Sequence, residues 1–392
     1  MFATLPAPVT DAILGVMTIF RADPRSDKVD LGLGVYKDPQ GLTPVMRAVK
    51  AAEQRLVDTQ TTKTYTTLSG DPAYRAAMAG LVLGAAADPA RLAGTASTGG
   101  TGGVRLGMDL IHAANPAATI WISTPTWPNH MALAKAAGLA WKPYRYYNAE
   151  TGGLDRAGMW ADLEGVKPGD VVLLHGCCHN PTGVDLNADD WARMAAFITD
   201  RGLMPFIDIA YQGFGDGLDA DAAGARMLAG RVERMVIAAS TSKNFGLYRE
   251  RAGVCLVQCP EAERPLVQGT LETLNRQAIS FPPDHGARVV TEILSDATLR
   301  ADWDAELTAM RERMNHLRRT LATALRDACG SDRFGHLADQ RGMFSLLGGT
   351  DAQIQRLRDE FGVYVVGGGR LNMAGLTDES IPRVAKAIAQ VL

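Results

Sequence analysis

A lysine at position 243 lies in the run STSKNFGLYRERAG, residues 240 to 253, directly behind the apolar stretch MVIAAS. A lysine amine condenses with a carbonyl cofactor, and such a pairing becomes catalytic when the cofactor's ring accepts the electrons of an adjacent carbanion. Ser240, Thr241 and Ser242 flank Lys243 and Arg251 follows. Hydroxyls and a guanidinium are the groups that hold a phosphate dianion. A lone lysine would be read as surface solvation; these neighbours point instead to a phosphate-bearing carbonyl cofactor, of which pyridoxal 5'-phosphate is the common one.

Four other segments carry complementary chemistry. Asp208 closes the apolar run LMPFID, where a carboxylate is costly unless a cation such as a protonated ring nitrogen faces it; the competing reading is a cap on the next helix. Tyr211, three residues on, offers a phenol to a ring oxygen, or else packs in the core. HGCCHNPTG, 175 to 183, places Asn180 in a tight turn with Pro181 and Gly183. STGGTGGVRLGMDL, 97 to 110, is a glycine-rich turn running into a helix, so Gly100 and Thr101 read as phosphate ligands. Neither a strand-GxGxxG-helix fingerprint nor GxxxxGK[ST] is met, which favours a short phosphate cofactor over a dinucleotide or ATP. TPTWPNH, 124 to 130, supplies Trp127, whose indole can stack on a flat ring, and His130; core packing is the competing reading for both.

Buried strand-like runs must position these residues: TIWIS at 119 to 123, VVLLHG at 171 to 176, LMPFID at 203 to 208, MVIAAS at 235 to 240 and AGVCLV at 252 to 257. Amphipathic stretches such as AAMAGLVLG, NHMALAKAAG and ADDWARMAAFITDRG alternate with most of them. The pattern predicts an α/β fold, a large domain with a mainly parallel sheet sandwiched by helices over residues 45 to 295. The site belongs at the carboxyl ends of the strands. Residues 297 to 328 predict one long helix or two joined ones. They open a C-terminal part, 296 to 392, that mixes GMFSLLG and GVYVVG with the helical SIPRVAKAIAQVL and is expected to form, with residues 1 to 44, a smaller α+β domain.

The 392 residues, 46% hydrophobic and 21% charged, are those of a folded globular chain rather than a disordered one. A net charge of -3 provides no field for nucleic acid or an anionic membrane, and no long apolar run suggests a span. The start, interrupted by Asp11, reads as a mature N-terminal arm rather than a signal peptide. Five cysteines, an odd number without CxxC, read as reduced thiols of a cytoplasmic protein. Cys177 and Cys178 beside His175 and His179 invite a metal, but adjacent residues on a strand face opposite sides, so none is expected.

The lysine run, DIAYQGFG and HGCCHNPTG together resemble the class I aminotransferases of pyridoxal-phosphate fold type I, in the aspartate and aromatic-amino-acid branch, over about residues 15 to 380. SKNFGLYRER and AYQGFGDGL look most like bacterial aromatic-amino-acid aminotransferases. The resemblance implies a seven-stranded-type sheet and a homodimer with its sites at the subunit interface. Lys243 would carry the cofactor and then move the proton between substrate Cα and cofactor. Asp208 would face the ring nitrogen, Tyr211 and Asn180 the ring oxygen, Trp127 the ring face, and His130 would support Asp208. Tyr65, in TKTYTTLSG, would reach the phosphate of the neighbouring subunit's cofactor. Arg370, in GGRLNMAG, and Asn180 would bind the substrate α-carboxylate, with Gly34 of LGLGVYKD and Trp127 beside it. Arg276, in LNRQAISFPP, would come from the partner subunit to a distal carboxylate. Two departures from the aspartate pattern, Phe281 and Thr64 in place of asparagines, favour transamination of aromatic as well as acidic amino acids with 2-oxo acids such as 2-oxoglutarate or oxaloacetate. Some relatives do this by moving the distal arginine aside. Val35, Lys37 and Thr43 keep the aspartate-like pattern and support the alternative of a strict aspartate enzyme; a β-lyase or decarboxylase is more distant.

Overall fold

A computed structural model describes residues 2–5 and 12–392 of the chain. Part of the expected N-terminal arm, residues 1 and 6 to 11, lies outside them. The described chain divides into two compact units: residues 43–312 with 340–342, and residues 1–42, 313–339 and 343–392. The long helix (Ala297–Cys329) is continuous and runs through both, so the division falls inside it, where the sequence reading put the line ahead of it at 296. Its apolar positions serve two cores. Trp303 stacks on Phe245 at 4.4 Å in the larger unit, and Leu317, Leu321 and Leu325 join the apolar cluster of the smaller one.

The larger unit is an α/β layer structure around seven strands: β1 (Leu92–Thr98), β2 (Thr119–Thr124), β3 (Ala140–Arg145), β4 (Val171–His175), β5 (Met204–Ile209), β6 (Met235–Ser240) and β7 (Ala252–Gln258). Their spatial order is β1-β7-β6-β5-β4-β2-β3. Only β7 runs antiparallel to its neighbours. The central strands β4, β5 and β6 are buried nearly end to end because helices cover both faces. One cover is α1 (Gly99–Ala114), whose Val104, Met108 and Ile111 pack in a cluster with Ile120, Leu173, Phe206 and Val236. α2 (Ala188–Arg201) begins in a reciprocal cap between Asn187 and Asp190 and ends at Gly202 in the left-handed region, which fixes where β5 starts.

Two strands of this sheet escaped the sequence reading. β3 is an edge strand, exposed at most positions and carrying Lys142 and Pro143, which blunt that edge against further pairing. β1, reading LAGTAST, is buried but is built from small residues because α1 and the helix Arg264–Ala278 lie close over it. The smaller unit holds the antiparallel pair β8 (Phe344–Leu346) and β9 (Arg370–Asn372). It also holds a parallel pairing of Val29 and Asp30 with Val363 and Tyr364, and the amphipathic helix Ile381–Val391. Strands and helices mix there as an α+β unit.

Candidate active site

The parallel strands all end on one edge of the sheet, and the reactive segments follow those ends. α1 starts directly after β1, TPTWPNH begins at the end of β2, Asn180 follows β4, Asp208 is next to last in β5, and Lys243 lies three residues beyond β6. Because β7 is reversed, Arg251, just before its start, reaches the same edge. Register ties the groups together: His175 pairs with Asp208, Asp208 with Ala238, and Ser240 with Gly253.

Asp208 is 8% exposed and lies at the end of a hydrogen-bonded chain. Its Oδ2 is 3.0 Å from His130 Nε2, His130 Nδ1 is 2.8 Å from Thr126 Oγ1, and Thr126 Oγ1 is 3.1 Å from His175 Nε2. A carboxylate only accepts, so His130 Nε2 carries the proton. Thr126 Oγ1, lying between the two rings, links His175 to His130 and so to Asp208. Burial alone would raise the Asp208 pKa. The hydrogen bond from His130, with His175 and Lys243 nearby, outweighs it and leaves the carboxyl below its ordinary value. Burial, and then the proximity of His130, brings His175 down to about 3. His179 is also held well below the usual range by burial; it lies 3.0 Å from Ser123 Oγ and 2.9 Å from Thr182 Oγ1 and stacks on Tyr146 at 4.1 Å. The result is a carboxylate held below its ordinary pKa, backed by a chain of imidazoles and open to one cation. Trp127 meets His130 edge-on at 5.2 Å.

Lys243 is half-buried, its Nζ 4.9 Å from the centre of the Tyr211 ring. Burial lowers its pKa and the Arg251 guanidinium lowers it further, while Asp208 opposes both. An amine poised toward its neutral form is the nucleophilic one. Its loop is braced from behind by Trp303, whose Nε1 donates to the Asn244 carbonyl at 2.7 Å. Beside it lies an anion cradle. Arg251 Nη1 donates to Ser242 Oγ at 3.2 Å, and the Gly99 amide donates to the Arg251 carbonyl at 2.7 Å. Gly99 has φ 67°, and a Cβ there would lie 2.5 Å from Arg251 Nη2; one on Gly253 would lie 2.5 Å from the Gly99 carbonyl carbon. Bare backbone is required at both positions for the first turn of α1, with Gly100 and Thr101, to stand against Ser240 and Arg251.

Tyr65 is 78% exposed and stacks on Phe281 at 4.6 Å, with Arg276 beside them. Gly34 and Arg370 belong to the smaller unit and share a neighbour there. The Phe344 ring lies 4.4 Å from the Arg370 guanidinium, and its tip is 3.1 Å from where a Cβ on Gly34 would stand. Arg370 Nη2 also donates to the Gly32 carbonyl at 3.0 Å. Sequence reasoning missed Thr126 and Ser123 and weighed His175 and His179 only as metal ligands. The four-residue spacing of Thr126 and His130 was the available signal. The tightest ligand-type cluster among the described residues is instead Cys177, Cys178 and Asp221. The Asp221 carboxylate already accepts from the amides of Gly213, Gly215 and Asp216. All five cysteines are free thiols.

A recessed lysine, a buried carboxylate open to a cation and a phosphate cradle on one sheet edge narrow the field, and comparison with known proteins decides it. The family model for aminotransferase class I and II matches residues 26–388. This chain belongs to that family. The aromatic-amino-acid aminotransferase of Paracoccus denitrificans is 53% identical over 392 residues, all of both chains. The aspartate aminotransferase of Salmonella typhi is 43% identical over 398 residues, again all of both. The solved aromatic-amino-acid aminotransferase of Burkholderia pseudomallei, covalently bound to pyridoxal phosphate, superposes with a TM-score of 0.96 at 41% identity, over 100% of this chain and 99% of that one. The chain is a pyridoxal-phosphate-dependent transaminase, and its substrates are amino acids and 2-oxo acids. Its own residues fit that cofactor: the cradle of Arg251, Ser242 and the first turn of α1 suits a phosphate, and the buried Asp208 carboxylate suits a protonated ring nitrogen. No described helix is long and apolar enough to cross a membrane.

Proposed function

We propose that this aminotransferase accepts both aromatic and acidic L-amino acids (Phe, Tyr, Trp, Asp and Glu) and returns the amino group to acceptors such as 2-oxoglutarate and oxaloacetate. The observation that carries the reading is Arg276, a guanidinium for a distal carboxylate, set beside the aromatic pair Phe281 and Tyr65 where the aspartate pattern has an amide. The relatives' names, covering aromatic and aspartate substrates, support it. Val35, Lys37 and Thr43 favour a strict aspartate enzyme as the second reading.

In this reading Lys243 holds the cofactor and, once released, moves the proton away from substrate Cα. Asp208, oriented by His130, keeps the ring nitrogen protonated; Tyr211 and Asn180 donate to the ring oxygen, and Trp127 covers the ring face. Gly100, Thr101, Ser240, Ser242 and Arg251 hold the phosphate, with Tyr65 of the neighbouring subunit. Pyridoxal phosphate, when bound, supplies a cationic ring that withdraws the electrons left at Cα. Arg370, Asn180, Gly34 and Trp127 take the substrate α-carboxylate end, and Arg276 takes the distal end. A guanidinium pairs with a carboxylate through two hydrogen bonds and so sets orientation as well as affinity.

The assembly is a homodimer in which Tyr65 and Arg276 cross the interface, and the compartment is the cytoplasm. Exposed Val57, Tyr65 and Leu266, each at least 75% accessible in the single chain, support a partner surface. Steady-state kinetics across aspartate, phenylalanine, tyrosine and tryptophan test the specificity. Comparable kcat/KM values are expected, and an aspartate preference above about a thousandfold, near 4 kcal/mol, rules out the dual reading. Mixing inactive Lys243→Ala chains with Arg276→Ala chains tests the dimer, because hybrids regain one complete site; mixtures without restored aspartate turnover would exclude the crossing.

A further inference from the structure

Asn180 sits on a turn that a single carboxylate closes. Strand β4 ends at His175, and the chain then bends at Cys178, which adopts φ 50° in the left-handed region that favours glycine. That bend turns two successive amides to one side: Cys178 N donates to Asp185 Oδ2 at 2.7 Å and His179 N to Asp185 Oδ1 at 2.8 Å. Successive amides aimed at one point make an anion-binding concavity, and here the anion is a side chain of the same turn. The far side is tied as well, since the His179 carbonyl accepts from the Gly183 amide and the Gly183 carbonyl from the Arg341 amide, both at 2.7 Å. Asn180, 7% exposed, lies inside this closed stretch. Burial is the largest influence on Asp185 and raises its pKa to about 6; Asp221 and Asp216 add to the rise, and the two amides oppose it. A hydroxyl or an amide side chain would cap a turn without that penalty. What a carboxylate alone offers is an acceptor oxygen for each of two adjacent amides.

We propose that Asp185 is a positioning residue for the cofactor's ring oxygen, acting through Asn180: by holding the Cys178 and His179 amides on one carboxylate, it fixes the turn from which Asn180 donates. The inference rests on the reading of Asn180 as a donor to that oxygen. A donor set in place beforehand needs no reorganisation when its acceptor arrives and is worth correspondingly more. A hydrogen bond donated to the ring oxygen favours its ionised form. A loosened turn therefore raises the pH at which the bound cofactor changes its absorbance. Asn180 meets the ring oxygen and the α-carboxylate whatever side chain the substrate carries, so acidic and aromatic substrates lose alike.

The test uses Asp185→Asn, which is isosteric but sets an N–H against one of the two amides, and Asp185→Ser, which keeps one acceptor on a shorter arm and serves where the first variant folds poorly. Each is made with and without Asn180→Ala. Asp170→Asn is the comparison, because Asp170 lies at the other end of β4, is 6% exposed and accepts from the amides of Thr119 and Lys167 and from Trp121 Nε1, each at 3.0 Å. The absorbance of the holoenzyme is followed against pH, alongside kcat/KM for aspartate and phenylalanine and unfolding in urea. Either Asp185 change is expected to raise the absorbance midpoint by about 0.5 to 1 pH unit and to lower kcat/KM about three- to tenfold for both substrates, the worth of one weakened hydrogen bond. Asn180→Ala raises the midpoint by itself, and an Asp185 change added to it moves the midpoint no further. Asp170→Asn lowers stability and leaves the midpoint in place. An equal shift in the Asn180→Ala background, no shift in the parent, or the same shift from Asp170→Asn overturns the positioning role. Failure of the underlying reading has a separate signature, since Asn180→Ala alone would then leave the midpoint where it was.

Discussion

Asp208 and Arg276 are both charged groups assigned to meet a ligand, yet the fold treats them in opposite ways. Asp208 is set in a strand and supported by His130, Thr126 and His175 in sequence. Arg276 stands exposed at a helix end, its Nη1 donating to Ser280 Oγ and its guanidinium 5.7 Å from the centre of the Phe281 ring. A buried carboxylate held below its ordinary pKa by its hydrogen bond from His130 has one state to offer, and chemistry common to every substrate requires one state. A guanidinium in solvent, screened and held by weak contacts, has several. Under the proposed roles, specificity can vary without disturbing the chemical step.

The largest effect should come from the fixed side of that contrast. Lys243→Ala is expected to lower kcat by more than about 10⁴-fold while the folded chain still binds cofactor noncovalently, because the proton at Cα loses its carrier; appreciable turnover by the cofactor-saturated variant would remove Lys243 from that role. Asp208→Asn should cost about 10²- to 10³-fold in kcat/KM for acidic and aromatic substrates alike, as expected for one partner removed from a buried charge pair. A loss confined to one substrate class would break the contrast between common chemistry and variable choice.

On the adjustable side, Arg276→Ala should reduce kcat/KM for aspartate about 10- to 100-fold and leave phenylalanine within about threefold, the worth of one charge-assisted contact. The smallest effect is on stability. The His175 pKa falls to about 3 from an ordinary 6.5, so protons bind the unfolded chain more readily. That destabilisation is absent above about pH 6.5 and grows as pH falls toward 3. Between pH 7 and 5 the parent should lose about 1–2 kcal/mol more than His175→Asn in urea unfolding, a figure kept low because His175 is only half-buried. Equal losses would mean that His175 holds its proton in both states.

How much of this was legible in the sequence followed the density of local constraint. Strands β2, β4, β5, β6 and β7 announced themselves as apolar runs, and the residues at their ends formed contiguous strings that could be read as cofactor chemistry. β1 and β3 were silent for physical reasons: one is made of small residues chosen for close packing, the other is an exposed edge strand broken by Lys142 and Pro143. The reversal of β7 was equally hidden, since a strand buried on both faces reads alike in either direction. Thr126 and His175 escaped because their role lies in a hydrogen-bonded chain with partners on different strands. Asp185 escaped because the bend at Cys178 brings its two amides together, and a positive φ leaves no mark on a cysteine.

That reversal has a consequence for engineering the molecule. A parallel neighbour to β6 would have needed a crossover and would have delivered its N-terminus to the far edge. The antiparallel β7 instead closes residues 241 to 251 into a loop stapled at both ends by sheet pairs, Ser240 to Gly253 on one side and Gly253 to Ser97 on the other. Lys243 and Arg251 stand near the two ends of that loop, three residues past β6 and one residue before β7. Exposed loops ordinarily absorb insertions, but a single residue inserted here would change the gap between amine and guanidinium with no slack to take it up. Insertion scanning should find this one loop as intolerant as the strands that frame it.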